Sequence, residues 1–251
     1  MKTALVLTGH MRDWKTAFPS IKSKLIDRYQ SDVFISSWKD FGYWVSPDRD
    51  PKNHGYNTDS PRLTENDIAE IYSAYHPISF LHPQYAYFTS VFMSRGKKYL
   101  PYCQEIRPQN VLSQFFQIHS GILSLESYVA ETGTKYDMVI RTRPDLVLQS
   151  DLPEIPLDSL KDTIYTNFHR NHTGQGTGDM LQVASFDSII KFKNIVYNFD
   201  ELTNHLNRFC PHMFVESYVK DFLNLNLVEL NLSKTLAHTP NGQYINYEGE
   251  K

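Results

Sequence analysis

The residues with the most chemical content lie in one short stretch, Tyr136-Asp-Met-Val-Ile-Arg-Thr-Arg-Pro-Asp145. The apolar run Met138–Ile140 reads as a buried strand, and two arginines and an aspartate follow it at alternate positions. If the backbone stays extended, Arg141, Arg143 and Asp145 point to one side, because strand side chains alternate with period 2. A carboxylate can hold Mg²⁺ or Mn²⁺ that also takes phosphate oxygens, since these hard ions bind few protein ligands plus substrate phosphates. Two arginines beside it can neutralise a leaving diphosphate. The plainer alternative is a surface Arg–Asp pair, worth only about 0–1 kcal/mol. Its position directly after an apolar strand favours a site, because ligands in open α/β sheets bind at the C-terminal ends of strands.

A second constellation, Thr8-Gly-His-Met-Arg12, follows the apolar run Ala4–Leu7. Gly9 lets backbone approach a ligand closely, and Arg12 offers a planar donor fork to phosphate. Thr8, Gly9, His10 and Arg12 therefore join Arg141, Arg143 and Asp145 as candidate donor-binding residues. Thr173-Gly-Gln-Gly-Thr-Gly178 is glycine-rich but does not follow a strand and open a helix, so it is not a dinucleotide fingerprint. It reads as a mobile lid with Asp179 at its base, and Asp179 is a candidate general base. His169 and His172 sit in a polar loop and make a poor zinc pair. His212 and Glu216 are four apart on a helical segment and share a face, and no H-E-x-x-H zinc signature is present. His238, near the C-terminus, is a candidate metal ligand.

These residues need strands and helices to hold them. Ala4–Leu7, a helix beginning at Pro19 and running to Tyr29, and a strand over residues 32–37 predict a β-α-β unit with a parallel pair. Proline suits a first helical turn. Lys39–Arg62 reads as a long loop, functional or disordered. Thr64–Asp67 resembles a capping box ahead of a helix with Ile68, Ile71, Tyr72 and Tyr75 on one face, followed by a short strand, Ile78–Leu81. Val111–Glu131 has the longest 3.6-residue period, with Gln114, Gln117 and Gly121 as a separate polar stripe. Strands over Thr163–Thr166, Asp179–Ala184 and Leu227–Leu230 alternate with helices starting after Ser185 and at Pro211. The tail from Ala237 reads as a loop. Alternating strands and helices place the chain in the α/β class.

With 251 residues the length prior allows one large domain or two small ones. Hydrophobic content of 41% and charged content of 21% are those of an ordinary globular protein. A net charge of −3 argues against a general nucleic-acid binder. Two cysteines without a CxxC pattern are too few for a disulfide scaffold. No run approaches the ~18 apolar residues needed to span a bilayer, and the first apolar run is too short for a signal peptide. The expectation is a cytosolic protein, with peripheral membrane contact left open and the oligomeric state unassigned.

The blocks at residues 4–12, 32–38, 136–145 and 178–180, taken in order, resemble small GT-A-like glycosyltransferases of bacterial surface-polysaccharide clusters and large DNA viruses. The resemblance covers residues 3–216, and the Arg-x-Arg-x-Asp block is its most specific part. It implies one mixed, mostly parallel Rossmann-like sheet flanked by helices, forming a single domain over 1–251. It implies hexosyl or deoxyhexosyl transfer from a nucleoside-diphosphate sugar to a glycan hydroxyl, assisted by Mn or Mg. Under it, the Gly9–Arg12 turn touches the nucleotide or its diphosphate. Asp145 matches the last position of an Asp-x-Asp metal motif and His238 a C-terminal metal ligand. Asp179 and Glu216 stand beside the acceptor as candidate catalytic carboxylates. The sequence departs from the motif at Arg143-Pro144-Asp145, where the first carboxylate is missing. Two other readings stand beside this one: another nucleotide-diphosphate enzyme (a nucleotidyltransferase or hydrolase), and a non-catalytic nucleotide- or carbohydrate-binding module.

Overall fold

A computed structural model describes residues 1–41, 62–103, 108–168 and 175–236. In chain order the main elements are β1 (Thr3–Gly9), α1 (Trp14–Ile21), β2 (Asp32–Ser37), α2 (Glu65–Tyr75), β3 (Ser79–Leu81), α3 (Ala86–Gly96) and α4 (Pro108–Thr132). They continue with β4 (Met138–Thr142), β5 (Leu146–Leu148), β6 (Thr163–Asn167), β7 (Leu181–Ala184), α5 (Phe186–Phe192), α6 (Phe199–Leu206), α7 (Pro211–Ser217), β8 (Asn226–Leu230) and β9 (Lys234–Leu236).

The main sheet has seven strands in the order β3-β2-β1-β4-β7-β6-β8, and β5 pairs with β9 separately. β1 is parallel to both β2 and β4, and β3 is parallel to β2. β7 runs antiparallel to β4 and β6, while β6 and β8 are parallel. The reversal of β7 matters for function. It brings the start of β7, and Asp179 just before it, to the edge where β1, β2 and β4 end.

Both faces of the sheet are covered, which is why the central strands read as continuous apolar runs. Ala4 and Val6 pack into a core under α4, α5 and α7, whereas Leu5 and Leu7 pack into the opposite core with α1 and α2. The predicted capping box of α2 is present, with Thr64 accepting from the Asp67 N–H and Asp67 accepting from the Thr64 N–H. Ser185 caps α5 through the Ser188 N–H, and Pro211 occupies the first turn of α7.

Pro19 does not start a helix. α1 begins at Trp14 and carries Pro19 inside it, continuing as a π-helix over Lys22–Asp27. Trp14, Ala17, Ile21 and Leu25 are all buried in the α1–α2 core. That burial outweighs the missing proline N–H, and the widened turns absorb the mismatch. α3, α6, β5 and β9 are elements that the sequence reading did not anticipate. Most of the 39–62 loop (residues 42–61) lies outside the described residues, as does the tail from Ala237.

The polar stripe on α4 faces the sheet. Gln117 accepts from the buried Ser36 hydroxyl at 2.5 Å. At Gly121 an added Cβ would lie 2.7 Å from Thr8 Cγ2 and 3.0 Å from Val6 Cγ1. Gly121→Ala would gain about 1 kcal/mol of helix propensity but lose about 1–3 kcal/mol to overpacking. The expected net result is a less stable protein with a lower urea midpoint; an unchanged or higher midpoint would show that α4 can lift from the sheet without loss.

Candidate functional site

The C-terminal edge of β1 and β4 holds two layers of polar side chains. The deeper layer is organised by Arg141. β4 runs through to Thr142, so Arg141 lies within the strand, opposite Val6 on β1 and Gln182 on β7. Its side chain is only 1% exposed. Its Nε donates to Thr8 Oγ1 at 2.6 Å, and its Nη1 donates to the Asp179 carbonyl at 2.6 Å and to Gln182 Oε1 at 3.0 Å. Burial pushes its pKa down to about 9, with the Asp179 charge opposing the shift, so it stays cationic at neutral pH. Arg141 therefore ties three strand ends together, and Thr8 serves it as an acceptor.

The upper layer is formed by Arg143, Asp145 and Arg12. Residues 143–145 leave the strand and turn at Pro144, so the row of three same-side groups expected from an extended backbone does not form. Arg143 instead folds back as a fork on its neighbour, Nε to Asp145 Oδ1 and Nη2 to Asp145 Oδ2, both at 2.8 Å. Arg12 Nη1 reaches Asp145 Oδ2 at 3.4 Å. Bidentate arginine–carboxylate pairs are both strong and directional. Asp145 is 1% exposed, whereas the side chains of Arg12 and Arg143 keep 16% and 20% of their surface. Both arginines thus keep some solvent access while the carboxylate between them keeps almost none. Burial lowers the Arg12 pKa to about 10.

The β1 turn completes this side. Gly9 has φ +127, in the region that favours glycine, with Pro144 Cδ 3.9 Å from where its Cβ would be. His10 Nδ1 sits 3.1 Å from the Asp40 carbonyl and must donate there, since a carbonyl only accepts. Burial first, then the Arg12 charge, drives the His10 pKa down to about 3, so the ring is neutral.

Asp179 lies across from this group and is 5% exposed. Gln114 of α4 donates to its Oδ2 at 2.8 Å, and His212 Nδ1 stands 3.6 Å from its Oδ1. Burial pushes the Asp179 pKa up, but His212, the Gln114 amide, Arg143 and Arg141 together hold it below the usual carboxylate value. The described part of the loop before it packs against the start of α7 and the end of β6. Gly176 has φ +84, and a Cβ there would lie 2.7 Å from His212 Cβ. Gly178 is packed on Asn167, whose side-chain oxygen accepts from the Met180 and Leu181 N–H groups. Gly174, His169 and His172 lie outside the described residues. Glu216 is one turn beyond His212 and accepts from Lys220 at 2.7 Å.

The structure thus brings Thr8, Gly9, His10, Arg12, Arg141, Arg143, Asp145 and Asp179 to one edge of the sheet, with Glu216 further out on α7. His238 lies outside the described residues. Gln114 and Gln182 belong to the site although the sequence reading assigned them no role. The polar stripe on α4 was the only signal for Gln114, and nothing local marked Gln182.

Comparison with known proteins places this sheet. Its fold is similar to that of core-mannan synthase A (CmsA/Ktr4) from Aspergillus fumigatus in its Mn/GDP form, with a TM-score of 0.51 and 9% identity over 97% of this chain and 76% of that one. The fold is GT-A-like. No family model matches the chain, and no curated protein does. No helix among the described residues is long and apolar enough to cross a membrane.

Among the described residues no group of three His, Cys, Asp or Glu side chains is placed to hold a metal. Asp145 is the one carboxylate at the expected position, and its two oxygens already accept from Arg143 and Arg12. As arranged, this donor set fits a guanidinium pair better than a divalent ion.

Proposed function

We propose that the chain transfers a sugar from a nucleoside-diphosphate sugar to a hydroxyl of a glycan or similar acceptor. The observation that carries this reading is the pair of partly exposed arginines, Arg12 and Arg143, braced on buried Asp145 at the C-terminal edge of a GT-A-like sheet. Preorganised cations with little solvent around them stabilise the charge that develops on a departing diphosphate. The Mn/GDP form of the structural neighbour supports a diphosphate-containing donor.

In this reading the Gly9–Arg12 turn borders the nucleotide, Arg12 and Arg143 bind its phosphates, and Asp145 holds both arginines in place. Arg141 and Thr8 sit beneath the substrate and fix the strand ends. Because both Asp145 oxygens accept from Arg143 and Arg12, the guanidiniums carry the diphosphate charge in this reading.

A thermal-shift panel of GDP, UDP and dTDP, each with Mn²⁺ and with a chelator, tests the reading. A ligand that binds only the folded state raises the melting temperature with its concentration. The expected result is a shift with at least one diphosphate that persists in the chelator. A shift seen only with Mn²⁺ would return Asp145 to metal binding, with residues beyond the described ones completing the shell. A flat panel would remove the glycosyltransferase reading. Binding without turnover on any sugar donor would leave a non-catalytic module.

A further inference from the structure

Cys103 and Cys210, distant in sequence, sit on two segments that the fold lays side by side. The 3₁₀ turn Lys97–Tyr102 follows α3 and ends at Cys103, and Cys210 directly precedes α7. The Phe209 N–H donates to the Tyr102 carbonyl at 3.0 Å, one residue before each cysteine. Tyr99 stacks on Phe209 with ring centroids 4.3 Å apart, and its hydroxyl donates to Asp200 at 2.7 Å. Lys98 reaches the same carboxylate at 2.6 Å. Stacking, a backbone bond and an ion pair thus hold the two segments in register.

Both cysteines are extended, with φ −94 and ψ 133 at Cys103 and φ −143 and ψ 123 at Cys210. Extended segments joined by backbone hydrogen bonds hold facing Cα atoms about 4.5–5.5 Å apart, inside the roughly 4.4–6.8 Å that a disulfide spans. Both thiols are free and half-buried. Burial pushes the Cys103 thiol up to about 11, and the nearby Cys210 adds to the shift. Stabilised thiolates favour the reduced state of a thiol pair, and Cys103 is not one.

We infer that Cys103 and Cys210 are a redox pair that closes to a reversible disulfide, pinning the start of α7 to the segment that leads into α4. The inference does not depend on the transferase reading. It reaches the site because those two helices flank Asp179. α4 supplies Gln114 to its carboxylate, and the start of α7 supplies His212, whose backbone meets Gly176 and accepts from the Thr177 N–H. The oxidant is a small-molecule disulfide such as glutathione disulfide. One cysteine thiolate attacks a glutathione sulfur, and a glutathione thiolate leaves with the electron pair of that S–S bond. The second cysteine gives its proton to solvent, attacks the protein sulfur of the mixed disulfide and expels the other glutathione thiolate. The two cysteines lose two electrons in all, and one glutathione disulfide becomes two thiols.

The test equilibrates the full chain in buffers of graded glutathione to glutathione disulfide ratio, folded and again in urea. Each end point is approached from the reduced and from the oxidised side, so slow access to half-buried thiols cannot hide it. Acid-quenched samples are weighed by mass spectrometry. The expected product is a monomer lighter by two hydrogens and free of glutathione. A bridge and a fold stabilise each other equally, so the folded chain should close it with an equilibrium constant about 10²-fold above that in urea. Oxidation should raise the melting temperature of the wild type by about 5–15 °C and leave Cys103→Ser and Cys210→Ser unmoved. Hydrogen exchange of residues 175–179 and 212–217 should slow in the oxidised chain. Equal constants in the folded and unfolded chain, a glutathione adduct in place of the bridge, or a bridge between two chains would overturn the inference. Unchanged exchange in residues 175–179 would overturn its link to Asp179.

Discussion

Arg141→Met lowers the unfolding free energy by about 3–5 kcal/mol, the usual cost of removing one member of a buried charged network. The reason lies in what the side chain holds. Its guanidinium is the donor to Thr8 Oγ1 on β1, to the Asp179 carbonyl before β7 and to Gln182 Oε1 on β7. Methionine fills much of the volume but donates nothing, so three inward-facing oxygens lose their partner. Each buried acceptor left unsatisfied costs about 1–3 kcal/mol, and some relaxation keeps the total below the sum. Asp179 also loses a cation that helps keep its carboxyl ionised. Arg141→Lys should fall between the two, since one ammonium cannot span all three acceptors. Urea denaturation monitored by tryptophan fluorescence measures these differences. A loss under about 1 kcal/mol for the methionine variant would place Arg141 among surface-like ion pairs and undo its assignment as the tie between strand ends.

Arg143→Ala is expected to lower kcat by about 10²–10³, as seen when one preorganised charge-stabilising donor is removed. It breaks the two 2.8 Å hydrogen bonds to Asp145 and leaves that buried carboxylate with Arg12 at 3.4 Å. The paired variant Asp145→Asn separates the arginine account from a metal account. If guanidiniums carry the diphosphate, Asp145→Asn loosens both arginines yet leaves diphosphate binding in a chelator, whereas Arg143→Ala weakens it. If a metal carries it, Asp145→Asn abolishes Mn²⁺-dependent binding and Arg143→Ala has the smaller effect. Steady-state kinetics and nucleotide titrations on the two variants decide between these patterns.

Much of this architecture is legible in the chain itself. Ala4–Leu7 and Met138–Ile140 are apolar without alternation because both faces of β1 and β4 are covered, and that pattern alone marks central parallel strands. The α2 capping box and the Ser185 cap are local devices, so short sequence windows reveal them. The placement of arginines and an aspartate at strand ends also points to the edge of the sheet where the structure gathers them, because the C-terminal ends of parallel strands converge there.

What the sequence could not decide depends on contacts between distant residues. Spacing makes Arg141 and Arg143 look equivalent. The antiparallel entry of β7 covers Arg141 with Asp179 and Gln182, while the Pro144 turn leaves Arg143 partly exposed and closes it on Asp145. Pro19 signals a helix start locally, but the buried Trp14–Leu25 face carries the helix through it. Most of all, the pairing of Asp179 with His212, 33 positions apart, exists only because Gly176 lets the loop press on the first turn of α7. The chain alone determined which residue types gather at the strand ends and which strands form the centre of the sheet. Only the tertiary structure decided which charges are buried and which stay partly exposed, because burial and partner choice arise from elements that meet across the fold.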